Sequence, residues 1–219
     1  MSTRKSQRIG IWIIAGALVI GTIGGFLAMA LQPRNDATDQ ARMESLTAEW
    51  QKASQEASEK QAAQKAELFE KYYDELKKYS SRVGKFDADK VTELKTTDLK
   101  VGDGETLDES SSFTAYYIGW NPEGEIFDQS IDGESLKDPF LVEPGRVIEG
   151  WSKGAVGMKV GGVRELTIPS EMAYGETGSG ESIPPNTPLK FVMMVIPTPE
   201  TIEQPEIPEE LLKYYQQQM

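Results

Sequence analysis

The chain has 219 residues, with 23 Lys and Arg against 35 Asp and Glu and a net charge of −12. That balance leaves no basic stripe to neutralise phosphates, which excludes a nucleic-acid binder. Cys and His are both absent, which excludes disulfides, thiol nucleophiles, imidazole-dependent triads, the usual zinc ligand sets and a lipid anchor on a processed Cys.

Residues 1–8 form a basic N-terminus with Arg4, Lys5 and Arg8. Residues 9–31 carry no charge. At ~1.5 Å per residue such a helix crosses a hydrocarbon core of ~30 Å. The basic flank places the N-terminus in the cytoplasm and the remainder outside, as a single-pass membrane protein. Ala28-Met29-Ala30 offers the alternative of a long, cleaved signal sequence. Either way residues 32–219 are exported, and a Cys-free chain suits an oxidising compartment. Gly21 and Gly25 form a G-x-x-x-G pair able to pack two anchors together.

Residues 32–83 read as a stalk. Pro33 to Asp36 break the membrane helix. From about Ala37 to Ser81 there is neither Pro nor Gly, and Ala, Glu, Gln and Lys dominate, all good helix formers. Met43, Leu46 and Trp50 make one apolar stripe, and Leu68, Tyr72, Leu76 and Tyr79 another. Residues 51–66 between them are mostly Ala, Lys, Gln and Glu, which argues against a continuous heptad seam. The expectation is a long solvated helix whose aromatic end docks on the next domain or on a second chain; a flexible charged linker is the alternative. Stalk or anchor permits a homodimer.

Residues 84–197 read as one domain. After a hinge at 80–89, Val91-Thr92-Glu93-Leu94 and Leu99 to Gly104 suggest an edge strand and a turn. Ser112 to Trp120 alternates, with Phe113, Ala115 and Tyr117 on one face. Asn121-Pro122-Glu123-Gly124 is a turn. Glu125 to Ser130 continues as strand, and Phe140-Leu141-Val142 is short and extended, ended by Pro144-Gly145. Ile148, Trp151, Ala155 and Met158 are spaced for one face of a short helix. Val163 to Ile168 and Leu189 to Ile196 are strands. One short helix among many strands, without βα alternation, makes the class α+β, an antiparallel sheet packed on the helix. Residues 198–219 are an acidic, Pro-punctuated tail, with a helical turn or two starting near Pro208.

The words AYYIGW, FDQS, GRVIEGWSKGAVGMKVGG, LTIPSEMAYGETGSG and IPPNTPLKF run through most of residues 84–197. No periodicity rule produces the residues they carry. Words and order resemble the FKBP-type peptidyl-prolyl cis-trans isomerases. The resemblance implies a half-barrel antiparallel sheet wrapped around one short helix, and isomerisation of X-Pro bonds in client polypeptides. No cofactor and no metal enter that chemistry. The barrier is the resonance of the amide bond. A catalyst lowers it by gripping the Pro ring in an apolar slot and holding fixed donors toward the twisted amide.

The resemblance also implies roles. Trp151 would be the floor beneath the Pro ring. Tyr117, Phe127, Val147, Ile148 and Phe191 would be the walls, with Phe140 as a lip and Ile183 on the loop over the site. The Ile148 N–H and the Tyr174 hydroxyl would hold substrate carbonyls. Asp128 would sit at the rim beside Tyr117, either orienting that hydroxyl or meeting the twisted carbonyl. Asp128, Tyr117 and Tyr174 are thus the expected catalytic groups. Taken singly, these residues read as core aromatics, sheet tyrosines and a solvated carboxylate; only their combination in order says otherwise.

Two departures stand out. Ile131-Asp132-Gly133-Glu134-Ser135 replaces a segment that carries an Arg in many members, so a basic partner at the rim is missing there. The loop Thr177 to Ser182 lacks a His and an Ile often found in it and is more polar. Both changes weaken the implied binding of an FK506-like macrolide. The leading expectation is a membrane-anchored isomerase assisting the folding of exported proteins. The alternative is a tethered chaperone or binding module that grips Pro-containing or apolar segments with little turnover.

Overall fold

A computed structural model describes residues 37–216. The chain divides into two compact units: Phe69–Pro199, and a second formed by the described residues before Phe69 together with those after Pro199. This division falls at Phe69, earlier than the domain boundary expected at residue 84, and it groups stalk with tail. The span expected over 9–31, its basic flank 1–8 and the Gly21–Gly25 pair lie outside the described residues. Among the described residues no helix is long and apolar enough to cross a membrane.

Helix α1 runs unbroken over Ala37–Lys78. A composition free of Gly and Pro sustains it, and Lys77 and Lys78 in its last turn complement the helix dipole. A single 3₁₀ turn, Tyr79–Arg82, ends it.

The unit Phe69–Pro199 is built on an antiparallel sheet. Its strands are β1 (Lys95–Lys100), β2 (Phe113–Trp120), β3 (Ile126–Gln129), β6 (Phe140–Val142), β7 (Val163–Ile168) and β8 (Leu189–Ile196). Their spatial order is β1-β7-β8-β2-β3, with β6 also pairing β2. Between β3 and β6, the short strands β4 (Ile131–Asp132) and β5 (Ser135–Leu136) close a separate hairpin through Gly133, whose φ is +58°. Sequence patterning gave no sign of it. The edge strand also differs from expectation. It is Lys95–Lys100 rather than Val91–Leu94, and it pairs with β7 alone.

Helix α2 (Glu149–Ala155) crosses one face of the sheet. Two glycines one turn apart bring it close to β7. A Cβ on Gly150 would lie 2.3 Å from Ile168 Cγ2, and one on Gly154 would lie 2.8 Å from Leu166 Cδ2. Between helix and sheet lies the core, including Phe113, Ala115, Trp151, Leu166, Ile168 and Phe191.

The other face of β2 is buried too. Tyr116, Ile118 and Trp120 are covered there. The last turns of α1 supply Tyr72, Tyr73 and Leu76, all buried. The Tyr72 and Tyr116 rings lie 5.9 Å apart, Tyr73 donates to the Gly133 carbonyl at 3.2 Å, and Trp120 Nε1 donates to the Gly84 carbonyl at 3.2 Å. Arg82 pairs with Glu165 at 2.8 Å. The aromatic end of the helix therefore docks on its own chain's sheet, the first of the two options open in the sequence.

In the second unit the early part of α1 meets residues 200–208 and helix α3 (Glu209–Gln216). Met43, Thr47, Ser54, Ala57 and Leu211 are buried. The helix expected to be solvated is covered along one side by the tail.

Candidate active site

A concave pocket of about 510 Å³ opens beside α2, lined by Tyr117, Phe127, Asp128, Phe140, Gly145, Arg146, Val147, Ile148, Trp151, Tyr174 and Phe191. Its volume is in the range of sites for small ligands or one or two residues of peptide.

Each wall has a local cause. Glu143-Pro144-Gly145-Arg146 is a tight turn, closed by the Arg146 N–H donating to the Glu143 carbonyl at 3.1 Å. Pro sits at its second position and Gly145, with φ +78°, at its third, the pattern of a type II turn. That turn delivers Val147 and then Ile148, which stands at the start of α2 with extended backbone. One turn on, Trp151 points into the sheet and is almost fully buried.

The indole of Trp151 sits inside a cage of ring edges. Tyr117, Phe191 and Phe140 meet it at 5.1, 5.3 and 6.0 Å between centroids, all near perpendicular. Phe127 and Phe191 pack edge to face at 5.5 Å. Such geometries set the positive edge of one ring against the negative face of another. Trp151 Nε1 is buried with no hydrogen-bond partner among the described residues. The Phe127–Phe191 pair needs Gly119. A Cβ there would come within 2.6 Å of Phe191 Cε1 and 2.7 Å of Phe127 Cζ.

One polar cluster sits at the rim. Neighbouring strands β2 and β3 present Tyr117 and Asp128, and the Tyr117 hydroxyl donates to Asp128 Oδ2. Lys137 donates to Asp128 Oδ1 at 2.9 Å, as does the Gln129 N–H at 2.8 Å. Burial resists ionisation of Asp128, but the hydrogen bonds from Tyr117 and Lys137 outweigh it and hold its carboxyl below the usual range. Burial, reinforced by the adjacent carboxylate, pushes the Tyr117 hydroxyl well above an ordinary tyrosine. Near neutral pH the cluster is therefore a fixed carboxylate and a fixed hydroxyl.

Comparison with known proteins fits this geometry. A family model for the FKBP-type peptidyl-prolyl cis-trans isomerase matches residues 103–196. The FK506-binding protein of Neisseria meningitidis serogroup A is 44% identical over 96 residues, which span 43% of this chain and 85% of that protein. The chain belongs to the FKBP-type peptidyl-prolyl cis-trans isomerases, and it is an enzyme of that type. A probable isomerase of the same type from Haemophilus influenzae is 32% identical over 170 residues, covering 74% of this chain and 64% of that one. A solved peptidyl-prolyl isomerase from Pseudomonas syringae pv. tomato shares 34% identity over 49% of this chain and 76% of that one, with a TM-score of 0.43.

The isomerase brings together Tyr117, Phe127, Asp128, Phe140, Val147, Ile148, Trp151, Tyr174 and Phe191 around one pocket. Ile183, expected on the loop over the site, is the exception. It belongs to the buried core cluster and does not line the pocket. The loop before it folds back, with the Ser179 N–H donating to the Ile183 carbonyl at 2.8 Å and Gly178 pressed over that carbonyl.

Four residues at or behind the pocket escaped the sequence reading. Arg146 lines the wall. Gly119 makes room for two rings. Ser130, nearly fully buried, accepts from the Tyr117 N–H at 2.9 Å and so locks β3 beside β2. Lys137 supplies the basic partner that residues 131–135 lack. The β4–β5 hairpin returns the chain so that the Lys137 N–H meets the Ser130 carbonyl at 2.9 Å, which sets its ammonium beside Asp128. A lysine two residues beyond the segment, reached through an Asp-Gly-Glu-Ser turn, was the available signal.

Proposed function

We propose that this isomerase works outside the membrane that residues 9–31 anchor it to, and that it accelerates X-Pro isomerisation in exported polypeptides as they fold. The uncharged span behind Arg4, Lys5 and Arg8, and the absence of Cys, support the location. The Haemophilus match, longer than the 103–196 family segment, supports reading helix and isomerase domain as one working unit. The observation that carries the catalytic reading is the aromatic pocket floored by Trp151, with one polarised hydroxyl–carboxylate pair at its mouth.

In this reading the Pro ring of a client enters over Trp151, between Tyr117, Phe127, Val147, Ile148 and Phe191. Water leaves the slot with it. A planar amide is favoured by solvent, because its charge-separated resonance form is well hydrated. In a dry slot that preference falls, and the twisted amide, whose nitrogen and carbonyl are decoupled, is held instead by fixed donors. The Ile148 N–H and the Tyr174 hydroxyl supply donors for substrate carbonyls. Asp128 keeps the Tyr117 hydroxyl aimed in one direction. No proton changes hands and no bond breaks. An FK506-like macrolide is a second expected occupant of the same slot, and pairing of two chains through anchor or stalk belongs to the same reading.

The location is tested with the full chain in intact cells stripped of their outer layers. Added protease should release the isomerase domain while an internal control protein survives. Digestion only after the membrane is broken would place the domain on the other side and end the reading of an exported enzyme. The alternative, a gripping module, predicts client binding with no gain in the cis-to-trans rate of a short X-Pro peptide.

A further inference from the structure

Thr47, Trp50, Ser54, Ala57 and Gln61 follow one another at alternating steps of three and four residues along α1, which places them on one stripe. Thr47, Ser54 and Ala57 are buried although they are small or polar. Trp50 and Gln61 on this stripe are bonded to residues 202–205, part of a segment, 200–208, that adopts neither helix nor strand. Within that segment Ile202, Pro205 and Pro208 are half-buried and the residues between them are exposed. A burial repeat of three is the repeat of a polyproline II helix.

Three of the contacts are of one kind. Trp50 Nε1 donates to the Pro205 carbonyl at 3.2 Å. Gln61 Nε2 donates to the Ile202 carbonyl at 2.8 Å, and Gln64 Nε2 to the Glu200 carbonyl at 2.8 Å. These are side-chain donors reading backbone acceptors. An extended chain has no internal hydrogen bonds, so its carbonyls are free in any sequence. Beyond them the tail adds a side-chain bond, Gln204 Nε2 donating to Gln61 Oε1 at 3.1 Å, and an apolar residue at every third position, which Pro meets with a φ already fixed. An indole N–H with aligned donors over an extended, proline-spaced chain is a general way of recognising such segments.

We propose that this stripe of α1 is a second polypeptide-binding site, for extended segments with proline or an aliphatic residue at every third position. Residues 200–208 fill it in cis as an exchangeable occupant. Its ligands belong to the polypeptide class proposed for the isomerase pocket, a reading on which this one rests. A tethered client would then be held at two places, and release of the tail would open the second.

The test uses the purified full chain, a full-length Ile202→Asp/Pro205→Asp variant that frees the tail without shortening it, and a chain ending at Pro199. Three fluorescein-labelled probes are titrated by anisotropy: the 199–212 peptide, an unrelated peptide with Pro at every third position, and that peptide with its spacing shuffled. The first two should bind both opened forms at least about tenfold more tightly than the parent, whose tail competes at high local concentration. The shuffled probe should bind about tenfold more weakly than its parent peptide. Trp50→Phe in the freed-tail background should weaken binding about fivefold by removing one donor. Circular dichroism checks that the opened forms keep their helix, and a form that has lost it is replaced in the comparison by the other. Binding of neither spaced probe, or of the chain's own peptide alone, overturns the proposal. The short-peptide isomerase rate is read in the same samples. A normal rate without probe binding sinks this proposal only. Probe binding with no rate sinks the catalytic reading of the pocket only.

Discussion

Replacing Asp128 with Asn should slow isomerisation through Tyr117 rather than through lost contact with substrate. The carboxylate receives the Tyr117 hydroxyl on Oδ2, and Lys137 and the Gln129 N–H on Oδ1 at 2.9 and 2.8 Å. Asparagine has one acceptor oxygen. If that oxygen keeps the Lys137 side, an NH₂ faces the hydroxyl, which must turn to accept. Hydrogen bonds to a charged partner are worth about 1.5–3 kcal/mol. The Asp128 side chain is 46% exposed, and solvent screening brings the figure down to about 1–1.5 kcal/mol. That is close to a tenfold loss in kcat/KM. Tyr117→Phe deletes the same bond from the other side and should cost about the same. Because the two act as one unit, the double variant should also lose about tenfold, not about a hundredfold. Cis–trans exchange of a short X-Pro peptide, followed by NMR, measures the rates, and thermal melts confirm that each variant is folded. A loss near a hundredfold in the double variant would mean that Asp128 and Tyr117 contribute separately and would refute the positioning argument. Lys137→Met leaves the Tyr117–Asp128 bond in place and should cost less than about threefold.

Three further outcomes are expected. The isomerase rate should be flat between pH ~5 and ~9, since Asp128 is held below and Tyr117 above their ordinary values of ~3.9 and ~10. The stability that Asp128 contributes is complete above ~3.9 and is lost as pH falls through its lowered folded value; a bell-shaped rate profile centred near neutrality would contradict this. Arg164→Met should destabilise by ~3 kcal/mol, about 10 °C in Tm, because Arg164 donates to the Gly154 and Val156 carbonyls at 2.8 and 2.9 Å and pairs with Asp98 at 2.6 Å; an unchanged melt would show that α2 does not depend on that tether. Gly119→Ala should cost ~1–3 kcal/mol by overpacking and lower kcat/KM in the folded fraction, and a variant with the parent's rate would mean that Phe127 and Phe191 can shift without harm.

What the sequence showed tracks what hydropathy can encode. β7 and β8 stand where their apolar residues put them, because both are central strands and all but one position in each is buried. β1 was misplaced for the opposite reason. Its residues, Lys-Thr-Thr-Asp-Leu-Lys, lie at the edge with little burial, so pairing to β7 leaves no trace in composition. The pocket aromatics were legible because their order is distinctive, not because of their spacing. Lys137 was not, since its approach to Asp128 depends on a hairpin of two-residue strands. The covered side of α1 was the least legible. Thr47, Ser54 and Gln61 look solvated to any hydropathy measure, and the tail that meets this side of α1 does so largely through its carbonyls.

The site's electrostatics leave little room for proton transfer. A chain without His or Cys has no side chain whose ordinary titration lies near neutral pH, and the two perturbed groups at the rim are moved away from neutrality, in opposite directions. An enzyme so built can favour a twisted amide over a planar one by drying the slot and by where its dipoles point, not by moving protons. Fixed dipoles are worth most where they need not reorganise, so the frame behind the pocket matters as much as its lining. That frame is tight. Gly150 and Gly154 let α2 lie against β7, Arg164 ties the end of α2 to β1 through Asp98, Gly119 lets two rings cross, and Ser130 locks β3 to β2 beneath Asp128. None of these residues needs to touch a substrate, yet each sets the direction of one that would. A loosened frame should therefore lower kcat more than it raises KM, because the Pro ring would still enter the slot while the donors would no longer favour the twisted amide over the planar one.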